Sequence, residues 1–247
     1  MTPDSIERYA RHLVLKEIGG PGQQALLKSK VAIIGAGGLG GPAGLYLAAA
    51  GVGHITIIDD DVIEASNLQR QVQFVHTDIG MNKAVVMADT LEDLNPDVTA
   101  RAKSMRLTAS NAAEMIAGHD VVLDGVDNFE ARYAINAACL SANIPLVSGA
   151  LGRFNGQVSL FPSDGNGPCY RCLVPDIPPD AETCSAVGVI GALAGFVGSM
   201  MALETIKFIT GAGTTLSGRL WLFDGLKTKT RTVKLSRDPA CPECGHN

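Results

Sequence analysis

Short apolar runs alternate with amphipathic stretches through the first 150 residues, and this pattern predicts strands alternating with helices. The runs VAII, HITII and VVL are continuously apolar, which is typical of buried parallel strands. The predicted strands are 31–34, 54–58, 97–103, 120–124 and 145–148, and the predicted helices are 39–50, 81–94, 109–117 and 129–142. Such alternation implies right-handed βαβ units and a mostly parallel sheet.

The pattern differs at both ends of this region. At the N-terminus we predict helices over 4–18 and 23–28, separated by a break at Gly19-Gly20-Pro21-Gly22. The predicted elements after residue 150 are strands 155–161, 219–223 and 230–235, a Pro-rich loop 174–183 and a long helix 186–209. We therefore predict an α/β, Rossmann-like, doubly wound fold whose sheet is extended by C-terminal antiparallel strands. It forms one domain, 1–247, with parts 1–30, 31–150 and 151–247.

The segment AVGVIGALAGFVGSMMAL, residues 186–203, is uncharged and long enough to span a membrane. However, it is richer in Gly and Ala than in Leu and Phe, and it lacks flanking basic residues and aromatic anchors. These features favour a central helix packed against a sheet or a partner subunit. We expect no membrane association.

Composition and charge narrow the class of function. With 46% hydrophobic and 18% charged residues, the chain has a globular rather than a disordered composition. Its net charge of −5 argues against nucleic acid as the main partner, because phosphate binding needs a basic face. The first 20 residues lack the basic head and apolar core of a signal peptide, so we expect a cytoplasmic protein with reduced cysteines.

The stretch VAIIGAGGLGG contains the fingerprint Gly35-x-Gly37-x-x-Gly40 between a predicted strand and a predicted helix. Backbone N–H groups at such a helix N-terminus bind phosphate. Asp59 follows the next strand, where a carboxylate can accept hydrogen bonds from ribose hydroxyls. These features fit NAD and ATP equally well.

Polar side chains beyond Asp59 favour ATP. The stretch IEASNLQRQ, 63–71, contributes an arginine, and Lys83 begins a predicted helix. NAD carries less charge than a triphosphate and needs no such cationic clamp. Asp124 and Asp127 follow an apolar strand, where a carboxylate can hold Mg²⁺, although Asp127 also suits the cap of the helix from about 129.

Two Cys-x-x-Cys pairs, Cys169/Cys172 and Cys241/Cys244, supply four thiolates, enough for a closed tetrahedral Zn²⁺ site. The 68 residues between the pairs mean that the fold itself must bring them together. Such a site is structural because no coordination position is left for a substrate. A further cysteine, Cys184, precedes the long apolar helix and fits either buried packing or a reactive thiol.

Several motifs occur in a specific order along the chain: GAGGLGGPAGLYLAAAGVGHITIIDDD, SNLQRQ, Lys83, DGVDN, CYRC and CPEC. Their order and spacing resemble the MoeB/ThiF (HesA) family, the ubiquitin-activating-like adenylyltransferases that charge sulfur-carrier proteins. The resemblance extends from RYARH to CPECG, which is nearly the whole chain.

The resemblance implies roles for individual residues. It places Asp59 on the ribose and Asp127 on an essential Mg²⁺, and it makes Arg11 reach the neighbouring subunit's ATP site in a homodimer. It also raises the covalent link to the carrier that some members form at the position of Cys184. The implied catalytic residues are Arg11, Arg70, Lys83, Asp127 and Cys184. The implied nucleotide-binding residues are Gly35, Gly37, Gly38, Gly40, Asp59, Asp61, Ser66, Asn67, Leu68, Gln69, Arg70, Lys83, Asp127 and Asn128.

The implied activity is ATP-dependent adenylation of the C-terminal Gly-Gly carboxylate of a small ubiquitin-like sulfur carrier, ahead of thiocarboxylate formation. The carrier would serve molybdopterin or thiamine thiazole synthesis, and a separate sulfurtransferase would supply sulfur. Residues 31–150 would bind the nucleotide, and residues 151–247 would bind the carrier and zinc. The alternatives are an NAD-dependent oxidoreductase, a non-catalytic zinc-containing scaffold, and an enzyme that activates another carboxylate, such as that of a peptide or a modified tRNA base.

Overall fold

A computed structural model describes residues 1–177 and 188–245. Its single eight-stranded sheet has the order β3-β2-β1-β4-β5-β6-β7-β8. The strands are β1 Lys30–Ile34, β2 His54–Ile58, β3 Thr99–Lys103, β4 Val121–Asp124, β5 Leu146–Gly152, β6 Asn155–Phe161, β7 Arg219–Asp224 and β8 Lys229–Lys234. The helices are α1 Pro3–Arg8, α2 Ala10–Leu13, α3 Gly19–Lys28, α4 Gly40–Ala49, α5 Lys83–Leu94, α6 Ala112–Ile116, α7 Phe129–Ala142, α8 Tyr170–Leu173 and α9 Gly191–Thr210.

The sheet consists of a parallel part and an antiparallel part, as predicted. Strands β3, β2, β1, β4 and β5 pair in parallel, and β6, β7 and β8 follow in antiparallel pairing. The chain leaves β1 toward β2 on one side and returns to β4 on the other. Ligands in open α/β sheets bind at such a reversal of strand order, beyond the carboxyl ends of the strands.

Helices cover both faces of the parallel part, which confirms the doubly wound prediction. Ile33 points to one face, in a core completed by α4, α5 and α9, and Ile34 points to the other, in a core completed by α6 and α7. Both residues are almost fully buried. This two-sided burial explains why the sequences of β1, β2 and β4 are continuously apolar instead of alternating.

The predicted N-terminal elements were partly wrong. The helix expected over 4–18 is the two short helices α1 and α2, and the expected break at 19–22 is the first turn of α3. Pro21 fits there because a first-turn residue has no intrahelical acceptor for its N–H. Gly19, with φ of +54°, makes the left-handed turn into the helix.

Helix α9 is the one helix in the described ranges that is long and apolar enough to span a membrane. One face of it packs against the sheet, as predicted, with Val197 and Met201 fully buried. Gly198 and Gly149 make this packing possible, because a Cβ on Gly198 would meet the backbone of Leu39 and one on Gly149 would meet Met201. The first two residues of the predicted helix, and residues 178–183 of the predicted Pro-rich loop, lie outside the described ranges.

Candidate functional site

A cleft of about 1170 Å³ opens at the carboxyl ends of β1, β2 and β4, where the strand order reverses. Most of the predicted nucleotide-binding residues line it: Gly35, Gly37, Gly38, Asp59, Asp61, Ser66, Asn67, Arg70, Lys83, Asp127 and Asn128. Among the described residues that were predicted to bind the nucleotide or to act in catalysis, four do not line it: Arg11, Gly40, Leu68 and Gln69. The structure therefore brings eleven of the fourteen residues predicted to bind the nucleotide together around one cleft, and their roles stay predictions.

The glycine loop between β1 and α4 presents backbone donors to the cleft. Gly35 has a φ of +91°, a conformation that L-residues rarely adopt, and its amide donates to the carbonyl of Ile58. Within the part of the chain that the structure describes, the amides of Gly37 and Gly38 have no hydrogen-bond acceptor. Donors of this kind ahead of a helix form a binding site for phosphate.

Asp59 fixes the same loop from β2. One oxygen of its carboxylate accepts the amide of Ala36 at 2.7 Å, and the other accepts the amide of Asp61 at 2.8 Å. Burial raises the pKa of Asp59, and these two amides together with Lys83 oppose the rise. The carboxylate oxygens keep lone pairs for further donors, such as ribose hydroxyls.

Lys83 brings a positive charge to the cleft. It begins α5, where Asn82 caps the helix, and its side chain is only 8% exposed. Its ammonium lies 2.9 Å from the carboxylate of Asp61, which is 57% exposed. The ion pair holds the ammonium at the cleft wall.

The SNLQRQ stretch forms a tight turn that presents only some of its side chains to the cleft. A 3₁₀ turn over Ala65–Asn67 places Asn67 in a buried position, and Arg70 donates to the carbonyl of Ser66 at 3.0 Å. Leu68 instead packs on the core, and Gln69 is exposed, with its carbonyl against Gly191. In a turn of about three residues, successive side chains point in different directions, so the whole stretch cannot face one ligand.

Gly40 was predicted to bind the nucleotide, but it does not line the cleft. It packs against the glycine loop instead. A Cβ atom on Gly40 would overlap the carbonyl oxygen of Gly35. Gly37 has room, since its nearest neighbour would be the Gln71 side chain at 3.7 Å. The third glycine of the fingerprint therefore serves the close approach of strand and helix.

We expect Gly40→Ala to lower the free energy of unfolding by about 1–3 kcal/mol, because the added methyl group overpacks the loop. Urea denaturation measures the change, with Gly37→Ala as the matched control that should leave stability nearly unchanged. Equal stability of the Gly40→Ala variant and the wild-type protein would show that the loop relaxes freely.

The DGVDN stretch separates its two aspartates. Asp124 is fully buried, whereas Asp127 is exposed and lines the cleft. Asn128 caps α7 by accepting the amide of Ala131 at 2.9 Å. The alternative that Asp127 caps this helix is therefore wrong, and its carboxylate has no hydrogen-bond or ion-pair partner in the described ranges.

Arg132 neutralises the buried Asp124, a role that sequence reasoning missed. Its guanidinium donates to the Asp124 carboxylate at 2.8 Å, to Ser148 Oγ at 3.1 Å and to the carbonyls of Val126 and Gly149. Burial raises the pKa of Asp124, and Arg132 and Ser148 oppose the rise. The available signal was an arginine on the buried face of α7, three residues before Ile135. This network fixes the loop that carries Asp127.

Removal of Arg132 should be costly, because it leaves a buried carboxylate without its partner. For Arg132→Met we expect a loss of about 3–5 kcal/mol in the free energy of unfolding. The matched control is Arg106→Met, which removes a 72% exposed arginine paired with Asp60 and should cost less than about 1 kcal/mol. Similar losses in the two variants, measured by chemical denaturation, would contradict the assigned importance of the buried network.

The two cysteine pairs meet in space, as predicted. Sγ–Sγ distances are 4.0 Å for Cys169–Cys172, 3.6 Å for Cys169–Cys241 and 3.4 Å for Cys172–Cys244, and all four atoms lie within 4.8 Å of one another. A tetrahedral Zn²⁺ with bonds of about 2.3 Å requires sulfur atoms about 3.8 Å apart. The separations are far longer than a disulfide bond of about 2.05 Å. The four thiols thus match a closed metal site in number, chemistry and spacing.

Of the two remaining predicted catalytic residues, the structure describes only Arg11. Arg11 is exposed on α2. Cys184 lies outside the described residues, so the structure gives no test of its predicted role.

Comparison with known proteins finds relatives that match most of the chain. A sequence profile of the ThiF family matches residues 9–243. The chain is 45% identical over 242 residues to the SAMP-activating enzyme E1 of Haloferax volcanii, covering 97% of this chain and 89% of that one. It is 42% identical over 250 residues to the sulfur carrier protein adenylyltransferase of Thermus thermophilus, covering 99% and 92%.

The chain also matches a longer relative and a solved structure. The probable adenylyltransferase/sulfurtransferase MoeZ of Mycobacterium tuberculosis is 44% identical over 248 residues, and the chain spans 63% of its length. The crystal structure of E. coli MccB with ATP superposes with a TM-score of 0.84 at 24% identity, covering 96% of this chain and 74% of that one. At that identity the structural match supports the fold alone.

Proposed function

The chain belongs to the ThiF family, and from that membership we propose that it uses ATP to adenylate the C-terminal Gly-Gly carboxylate of a small ubiquitin-like sulfur carrier. Pyrophosphate would be released, and the acyl-adenylate would precede thiocarboxylate formation. The observation that carries this function is the cleft itself. It combines the unpaired amides of Gly37 and Gly38 with Arg70, Lys83 and the exposed Asp127. The names of the relatives give no support to the oxidoreductase alternative.

The reaction joins two anions, and the cleft offers the charges to permit it. The carrier's carboxylate attacks the α-phosphorus of ATP, an oxygen–phosphorus bond forms, and pyrophosphate leaves. Arg70, Lys83 and the glycine-loop amides would stabilise the charge that develops on the phosphate oxygens. Positioning of the two reactants would supply much of the rate, because this step needs no protein nucleophile.

Asp127 is the residue that would hold Mg²⁺. Its carboxylate is exposed in the cleft, whereas Asp124 is already neutralised by Arg132, so the hard oxygen donor that Mg²⁺ prefers is available at Asp127. The ion, when bound, would supply charge neutralisation on the phosphates.

The four-cysteine cluster would hold a structural Zn²⁺. Its thiols leave no open coordination position, so the ion would stabilise the C-terminal segment and take no part in adenylation.

The further partners are also part of the proposal. Arg11 is exposed and lies apart from its own subunit's cleft, and in a homodimer it would serve the neighbouring one. Cys184 remains the candidate for a covalent link to the carrier. The enzyme would work in the cytoplasm with a separate sulfurtransferase, without nucleic acid or membrane.

ATP–pyrophosphate exchange tests the proposal, with purified protein, Mg²⁺ and Gly-Gly-tailed carriers of the molybdopterin and thiamine pathways added in turn. We expect exchange that depends on one carrier and disappears when its terminal Gly-Gly is deleted. No exchange with any carrier would reject the sulfur-carrier assignment. Tight binding of NAD without binding of ATP would instead favour the oxidoreductase.

A further inference from the structure

The peptide groups around Ala36, in the glycine loop, are held by two side chains from different segments. The Ala36 amide donates to Asp59 at 2.7 Å, and the Ala36 carbonyl accepts from Gln73 Nε2, also at 2.7 Å. The same Gln73 nitrogen lies 3.4 Å from the carbonyl of Gly37. The loop is thus fixed on its donor side and on its acceptor side, immediately before the unpaired amides of Gly37 and Gly38.

Gln73 is buried and only partly satisfied. Its residue exposure is 6%, and its Oε1 has no hydrogen-bond partner among the residues that the structure describes. The opposite orientation of the amide would direct Oε1 at the Ala36 carbonyl, where two acceptors would repel each other. A buried acceptor without a partner destabilises the folded state. We therefore expect the Gln73 side chain to have a function that offsets this cost.

Gly41 makes room for this arrangement. A Cβ atom on Gly41 would overlap the side-chain amide of Gln73, and the three nearest atoms that it would meet all belong to that amide. Because the amide is the far end of a flexible side chain, a larger residue at 41 would displace Gln73 and leave the backbone in place. The pair Gly41 and Gln73 therefore acts as a unit.

We propose that Gln73 is a positioning residue for ATP: it sets the conformation of the phosphate-binding loop and ties the loop to the segment that carries Arg70. The connection is direct, since Gln73 follows Arg70 by three residues and Arg70 itself lies beside Gly38. The inference rests on the proposed function, because it assumes that the glycine loop binds the phosphates of ATP.

The main test is Gln73→Met, which keeps the volume and removes the donor. We expect the dissociation constant for MgATP to rise about 10-fold, the loss of roughly one buried hydrogen bond's contribution, and the KM for ATP in exchange to rise with it. The matched control is Thr56→Val, which removes a part-buried hydrogen bond between the buried Thr56 and His119 at 2.9 Å, away from the loop. It should lower the melting temperature and leave MgATP binding unchanged.

A double-mutant cycle separates positioning from general packing. Gly41→Ala should weaken MgATP binding by a similar factor through displacement of Gln73. In a Gln73→Ala background, where the amide is absent, the same Gly41→Ala change should add little. Independent, multiplying effects of the two changes would overturn the inference, as would wild-type MgATP affinity in a destabilised Gln73→Met variant.

Calorimetric titration with MgATP alone keeps this test apart from the test of the carrier. A wild-type protein that binds MgATP but exchanges with no carrier would reject the carrier assignment, and the Gln73 comparison would still decide the inference. Exchange by the wild-type protein together with unchanged MgATP binding and KM in Gln73→Met would overturn the inference alone. A folded wild-type protein that does not bind MgATP would overturn both.

Discussion

Asp127→Ala is expected to abolish carrier-dependent ATP–pyrophosphate exchange, with a loss of about 100-fold or more, while the protein stays folded. The carboxylate is exposed in the cleft and has no partner in the described ranges, so its removal breaks no structural contact. The expected change in the free energy of unfolding is within about 0.5 kcal/mol. The loss arises because the cleft would no longer hold Mg²⁺ on the phosphates at the carboxyl end of β4.

The matched control is Asp93→Ala, which removes an exposed aspartate near the end of α5, outside the cleft. It should retain full exchange and full stability. Titration with Mg²⁺ adds a second readout, because the Asp127→Ala variant should show a weakened Mg²⁺ dependence of whatever exchange remains. Normal exchange by a folded Asp127→Ala protein would remove Asp127 from the mechanism.

The separate roles of Asp124 and Asp127 could not be predicted from the residue pattern. Both aspartates follow the same apolar strand, and the pattern favours neither. The distinction comes from Arg132, which reaches back from α7 to neutralise Asp124, and from Asn128, which caps that helix. Such choices depend on which side chains share a buried space, and spacing along the chain does not encode that.

The elements that could be predicted are those governed by local patterns. Continuous apolar runs identified the parallel strands β1, β2 and β4, and the glycine fingerprint between β1 and α4 located the cleft. The part played by Gly40 could not be read from the fingerprint, since a close approach to Gly35 is a tertiary contact. Gln73 carried no recognisable motif, and only its hydrogen bonds to the loop indicate a function.

The N-terminal break was mispredicted for a related reason. Gly-Gly-Pro-Gly is a strong turn signal in isolation, but glycine and proline are also tolerated in a first helical turn. The burial of Gly22 and Gln23 shows that tertiary packing supports α3 from its first turn. Local propensity is a weak guide wherever packing acts against it.

Cys241→Ser is expected to have the largest effect on stability. Cys241 is fully buried, and its sulfur lies 3.6 Å from that of Cys169, so serine would replace one thiolate of a closed site by a poor zinc ligand. We expect bound zinc to fall from about one ion per chain to a small fraction of that value. The melting temperature should fall by about 10 °C or more, since a loss of several kcal/mol corresponds to that shift in a chain of this size.

The cysteine cluster packs separately from the two cores of the sheet. In the Cys241→Ser variant, unfolding should therefore begin in the C-terminal segment around the cysteines. Limited proteolysis should then cut that segment first and leave the sheet protected. The matched control is Cys139→Ser, which alters another buried cysteine, in the core between α7 and the sheet, and should keep the full zinc content. Elemental analysis measures the zinc content of both variants. Stoichiometric zinc in Cys241→Ser, or loss of zinc in Cys139→Ser, would place the metal elsewhere than at the four cysteines.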